Sequence, residues 1–207
     1  MKHIVSKTAF KTVLAVLILL IIAFGVMSFG FPQYMATFFE DMGNYSLATS
    51  YASLAYTYDG KEENLVRCVD DSILSGNDKK IVDFASRLVN SKTFDDYCAK
   101  RDEITRKKLE QSGLQISTDY SYKQYVMGNL ACSQYSLGDG NAALETAVIA
   151  MDGVGFPANN VLVMLSRRAI MQNDTEMKQK LYEIISNLTY VRADEEEYRR
   201  AVLQILT

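Results

Sequence analysis

The 207-residue sequence contains no tryptophan, two prolines and a single histidine. So little proline, beside 48% hydrophobic residues, excludes a disordered or collagen-like chain. The one imidazole is His3, which leaves the rest of the chain without a histidine for metal binding or general-base work. Cys68, Cys98 and Cys132 are odd in number and widely spaced, with no C-x-x-C. They give no readable disulfide framework and no zinc-type ligand set, and read as small buried hydrophobes. G-x-S-x-G, G-x-G-x-x-G, P-loop and H-E-x-x-H motifs are also absent. The carboxylate pairs Glu62-Glu63, Asp70-Asp71 and Asp95-Asp96 diverge by about 100° on a helix and read as solvated faces. No catalytic residue, metal or cofactor is expected. A net charge of −3 argues against a nucleic-acid partner, because phosphate binding needs a basic face.

Charge is missing from one long stretch as well, since no acidic or basic residue lies between Lys11 and Glu40. Thr12 to Phe31 form a continuous apolar run that, as a helix, is roughly 30 Å long, the hydrocarbon thickness of a bilayer. Its Val, Leu, Ile and Phe residues favour insertion by roughly 4 to 8 kcal/mol. Residues 12–31 are therefore expected to form a transmembrane helix. Lys2, Lys7 and Lys11 precede it, and the first basic residue after it is Lys61. The positive-inside rule then makes residues 1–11 a cytoplasmic tail and places residues 32–207 outside the cytoplasm. The alternative is a cleaved export signal, with Ser28-Phe29-Gly30 as a small-x-small site. The protein would then be a secreted, ligand-binding helical protein.

Residues 32–207 read as helices throughout, with apolar residues recurring at three and four. Turn residues punctuate them at Gly43-Asn44-Tyr45, Gly76-Asn77-Asp78, Gly138-Asp139-Gly140 and Asn173-Asp174-Thr175. Two of the three intervals are close to 34 residues and the middle one is close to double that, the mark of stacked supersecondary units. Around the first turn stand Met35-Ala36, Phe39, Ala48, Ala52 and Ala55; around the third, Leu130-Ala131, Ala143, Ala147 and Ala150. The second unit keeps the spacing with Val69, Ser72, Ile81, Ala85 and Leu88. The fourth has Leu165-Ser166, Ala169, Lys178, Tyr182 and Ile185, with Lys178 where a small residue is expected. Small residues there let paired helices approach closely, while larger neighbours fill the gaps.

In these motifs the chain resembles the tetratricopeptide repeat family, whose unit is two antiparallel helices in about 34 residues. After the membrane helix of residues 12–31, the resemblance implies a solenoid of four to five helix pairs with a capping helix, so that the whole fold is expected to be all-α. Asp194 and Glu197 have capping-box spacing, and Tyr198, Val202 and Ile205 can cover the last repeat. Phe94–Glu110 reads as an extra helix and Gln111–Asp119 as a loop, with ion pairing expected around Asp102 and Glu103. The resemblance further implies a protein or peptide partner lying across the first helices of the units, in a scaffold, assembly or chaperone role. The groove positions it carries over are Thr37 and Glu40, Asp70 and Ile73, Cys132 and Tyr135, and Arg167 and Ile170. Among these, Ile73 and Tyr135 are expected to anchor the partner, and Asp70 and Arg167 to orient it.

Overall fold

The computed structural model describes residues 2–113, 121–151, 160–188 and 195–207, with side chains from Phe10 onward. Among these residues the chain forms eleven α-helices and no strand. They are α1 (Lys2–Gly30), α2 (Pro32–Asp41), α3 (Tyr45–Asp59), α4 (Glu62–Ser75), α5 (Asp78–Val89) and α6 (Phe94–Gln111), followed by α7 (Tyr122–Ser136), α8 (Gly140–Ala150), α9 (Val161–Met171), α10 (Thr175–Ser186) and α11 (Glu196–Leu206). They divide into two compact units, Met1–Ser75 and Gly76–Thr207. The division falls at the Gly76 turn, so the two helices of the expected second repeat belong to different units.

In the first unit, α1 holds the stretch Phe10–Gly30, which has a mean hydropathy of 2.8 and is almost wholly exposed. That length and composition suit a membrane crossing, and they suit an export signal equally. Pro32 lacks the N–H that would continue the helix, and α1 breaks at Phe31, with Pro32 in the first turn of α2. Helices α2, α3 and α4 pack in sequence. Ala36, Ala48, Ala52 and Ala55 are buried at the contacts, and the rings of Phe39 and Tyr51 stack 5.4 Å apart.

The turns are built alike in both units. Gly43, Gly76, Gly138 and Asn173 all take positive φ, a conformation that glycine and asparagine tolerate. Three of them share one hydrogen-bond pattern: Asn44 N–H donates to Phe39 O, Asp139 N–H to Gln134 O, and Asp174 N–H to Ala169 O, at 2.8–3.0 Å. This six-to-one bond closes the helix C-terminus. The following Asn or Asp then caps the next helix. Asn44, Asn77, Asp139 and Asp174 accept from the backbone N–H of Leu47, Lys80, Ala142 and Met177. One dipeptide thus ends one helix and starts another.

In the second unit α7 packs against α5, α6, α8 and α9, and α9 packs against α10 and α11. Ala143, Ala147 and Ala150 are buried on α8, as their spacing predicts. Helix α10 departs from the expected register. Met177, Leu181 and Ile185 are its buried side chains, whereas Lys178 and Tyr182 are only half-buried. A lysine head must stay in water, so α10 turns inward the side one residue, or about 100°, away. A similar shift occurs in α11, where Val202 and Leu206 are buried and Ile205 is 60% exposed. Arg199 sets that register by donating to the Ile185 and Ser186 carbonyls that end α10. Asp194 of the expected capping box lies outside the described residues, as do residues 114–119 of the expected loop. Helix α6 runs to Gln111, one residue past its expected end. Its Lys107 pairs with Glu103 at 2.6 Å, but Asp102 instead accepts the Tyr122 N–H at the start of α7.

Candidate partner-binding site

The eight expected groove residues fall four to each unit. In the first, Thr37 and Glu40 lie on the side of α2 that faces Arg67 of α4. The Arg67 guanidinium donates from Nη1 to the Gln33 carbonyl at 3.1 Å and from Nη2 to Thr37 Oγ1 at 2.7 Å. It also donates to both Glu40 oxygens, from Nη2 to Oε2 at 2.6 Å and from Nε to Oε1. A planar fork with five donors suits this bidentate grip. The two expected groove residues of α2 are therefore already engaged with α4.

Asp70 and Ile73 are half-buried on α4. The carboxylate pair Asp70-Asp71 diverges as helix geometry requires, but Asp71 is not on a solvated face. It is 3% exposed, and its Oδ2 accepts no hydrogen bond. Burial, with the Glu40 carboxylate close by, pushes Asp71 up to about 7, although Arg67 opposes the shift. A carboxyl that keeps its proton near neutral pH can donate to Glu40. The result is an interhelical cluster of Gln33, Thr37, Glu40, Arg67 and Asp71. Among the described residues no group of histidines, cysteines and carboxylates is arranged to hold a metal ion.

In the second unit, Tyr135 is 7% exposed and its hydroxyl donates to Asp174 Oδ2 at 2.7 Å. Burial and the Asp174 carboxylate push the phenol up to about 12. Asp174 meanwhile caps α10, and the Met177 N–H is the main reason its carboxyl sits below the usual range. Tyr135 joins the two turns around Asp139 and Asp174 at an open cavity of about 540 Å³, which Glu176, Met177 and Lys180 also line. Cys132 is half-buried, and burial pushes its thiol up to about 11. Arg167 is exposed and donates to the Tyr198 hydroxyl at 3.3 Å. Ile170 is half-buried. Of the second-unit set, Tyr135 is thus part of the packing, and Arg167 presents the most open surface.

The three cysteines are free thiols, Cys68 and Cys98 fully buried. Burial pushes the Cys98 thiol up to about 12, so neither it nor Cys132 is poised as a thiolate nucleophile. Arg67 and Asp71 were missed by reasoning from repeat positions, although they stand four apart on α4 and so share one side of that helix. No family model matches the chain, and neither does any curated protein or solved structure.

Proposed function

We propose that the chain is a membrane-anchored, extracytoplasmic scaffold or assembly module, built as a tetratricopeptide-like array, that binds a segment of a partner protein. The observation that carries the reading is the recurrence of one turn design. A positive-φ residue followed by an Asn or Asp cap joins α2 to α3, α4 to α5, α7 to α8, and α9 to α10. The buried alanines of α3 and α8 stand at equal distances from their turns. Repeated units of this kind present one helix of each pair as a shared binding surface. Retention of α1 as an anchor is supported by Ser28, which is buried and accepts a 3.0 Å hydrogen bond from the Tyr51 hydroxyl. Of the small-x-small site Ser28-Phe29-Gly30, Ser28 is thus packed against α3, while Phe29 and Gly30 are exposed.

Two measurements test the reading. In intact cells an external protease should degrade residues 32–207 and spare the N-terminal tail; protection of the domain reverses the orientation. A mature mass that starts near Phe31 would instead establish a cleaved signal. For partner binding, a photo-crosslinking residue placed at the exposed position Thr37 in the first unit, or at Arg167 in the second, should label a defined segment of a partner protein. A synthetic peptide of that segment should compete. Absence of adducts at both positions, with adducts at Gln111 of α6, would refute the groove.

A further inference from the structure

We infer that α2 is an interfacial helix whose exposed apolar stripe rests on the bilayer where the anchor emerges; the inference rests on the reading of α1 as a membrane span. Helix α2 has three sides. One carries Met35, Ala36 and Phe39 and packs on α3. A second carries Gln33, Thr37 and Glu40 and is held by Arg67 of α4. The third carries Tyr34 and Phe38 and is continued by Met42 just past the helix, at i, i+4 and i+8; they are 60%, 51% and 64% exposed. Phe31, just before the helix, extends the same side and is 47% exposed. A stripe of two phenylalanines, a tyrosine and a methionine along one side of α2 and its two flanking residues is not an ordinary water-facing surface.

The chain identifies the occupant by continuity. Only Phe31 separates the last residue of α1 from the first of α2, so wherever the span leaves the hydrocarbon, α2 begins at the headgroups. The helix also turns away from the span there. Tyr51 stacks on Phe39 at 5.4 Å while its hydroxyl bonds to Ser28 at 3.0 Å. That bridge ties the last turn of α1 to α2 and α3 across the break between the helices. The chain bends at Phe31, where φ is −138° and ψ is 56°. A helix that bends over at the membrane surface with aromatic residues on its free side matches the chemistry of the interface, where amphipathic rings sit at headgroup level. The stripe holds no basic residue, and none occurs between Lys11 and Lys61. Its contact is therefore with the apolar boundary of the lipid and does not depend on anionic headgroups.

The absence of tryptophan makes the test direct, because any introduced tryptophan is the sole one. The full chain is reconstituted in phosphatidylcholine vesicles whose acyl chains carry bromine at a shallow or a deep position, and tryptophan quenching is read. Phe24→Trp reports on the span. Phe38→Trp, with Tyr34→Trp as a second variant should the first fail to fold by circular dichroism, reports on the stripe. Leu74→Trp, exposed on α4 in the same unit, serves as reference. Phe38→Trp should lose about half its emission to shallow bromines, and Phe24→Trp should respond more to deep ones. Leu74→Trp should show little quenching. Quenching at Phe38 should be equal when phosphatidylglycerol is added. If Phe24→Trp is quenched and neither stripe variant is, the anchor stands and the interfacial helix is wrong. If Phe24→Trp is unquenched, the span itself is wrong and the inference goes with it. Blue-shifted but unquenched emission at Phe38, or quenching that requires anionic lipid, also overturns it: protein covers the stripe in the first case, and charge elsewhere draws the domain down in the second.

Discussion

The two units use positions equally spaced from a glycine turn in opposite ways. Glu40 in the first and Tyr135 in the second both stand one turn before a Gly turn. Glu40 enters a cluster of two carboxyl groups and a guanidinium, whereas Tyr135 makes one neutral-donor bond to a helix cap. The second unit holds the fully buried side chains of Leu162, Leu165, Val126 and Leu181. The first unit buries Asp71 between two helices, beside the Glu40 carboxylate and the Arg67 guanidinium. The difference shows where the costs lie. A buried charge cluster holds helices in one geometry only while every member is present, and losing one member strands the others. An apolar core with a polar contact at its rim tolerates loss of that contact, because water can replace it.

The largest expected effect follows from removing the counterion. Arg67→Ala leaves Glu40 and Asp71 facing each other without a cation, and should destabilise the first unit by about 2–3 kcal/mol. The figure lies below that for a fully buried pair because Arg67 and Glu40 are 23% and 27% exposed. Native-state hydrogen exchange of the detergent-solubilised full chain should show faster opening of α3 and α4, with α7 and α9 unchanged. An equal change in both units would erase the contrast.

The next effect is a pH dependence confined to the first unit. Asp71 is raised from 3.8 to about 7, so the folded chain binds a proton that the unfolded chain has released. The associated stability is complete below about pH 4 and is lost as pH rises through about 7. Protection of α3 and α4 should therefore fall between pH 5 and pH 8. Asp71→Asn should flatten that slope and exceed the native chain in stability at pH 8. An unchanged slope in the variant would assign the titration elsewhere.

The third prediction sharpens the contrast from the second unit. Ala143 is fully buried and Ala142 half-buried, so Ala143→Leu should cost about 1–3 kcal/mol by overpacking. Ala142→Leu should stay within about 0.5 kcal/mol. Coincident unfolding midpoints in urea would show that the alanine spacing on α8 is incidental.

What the sequence made legible was periodic and local. The apolar run, the turns and the alanines of α3 and α8 could be read because each depends on spacing along one helix. The registers of α10 and α11 could not be read that way. They depend on where Lys178 finds water and on what Arg199 grips across a helix gap, which are tertiary facts. Arg67 and Asp71 were hidden for a related reason. A rule that singles out one and four positions on each first helix selects Asp70 and Ile73, while the residues that meet α2 stand just beside them. Reading Arg67 and Asp71 as an i,i+4 pair on α4 would have exposed that side.

The smallest effect is expected at Tyr135, and its smallness is informative. Tyr135→Phe keeps the packed ring and deletes only the hydroxyl that donates to Asp174. Asp174 keeps the Met177 N–H on Oδ1, and its other oxygen borders the open cavity, where water can take the place of the phenol. The cost should be about 1 kcal/mol. Tyr135→Ala, by contrast, also empties a packed position and should cost about 3–5 kcal/mol, so it tests folding and not partner binding. Loss of the hydroxyl should also move the Asp174 carboxyl up toward its ordinary value, because one of the donors that favour its ionised form is gone. A side-chain carboxyl titration by NMR reads that shift directly. If Tyr135→Phe instead destabilises the second unit as much as Arg67→Ala destabilises the first, the phenol–carboxylate contact is a keystone like the charged cluster, and the two units do not differ in the way their side chains indicate.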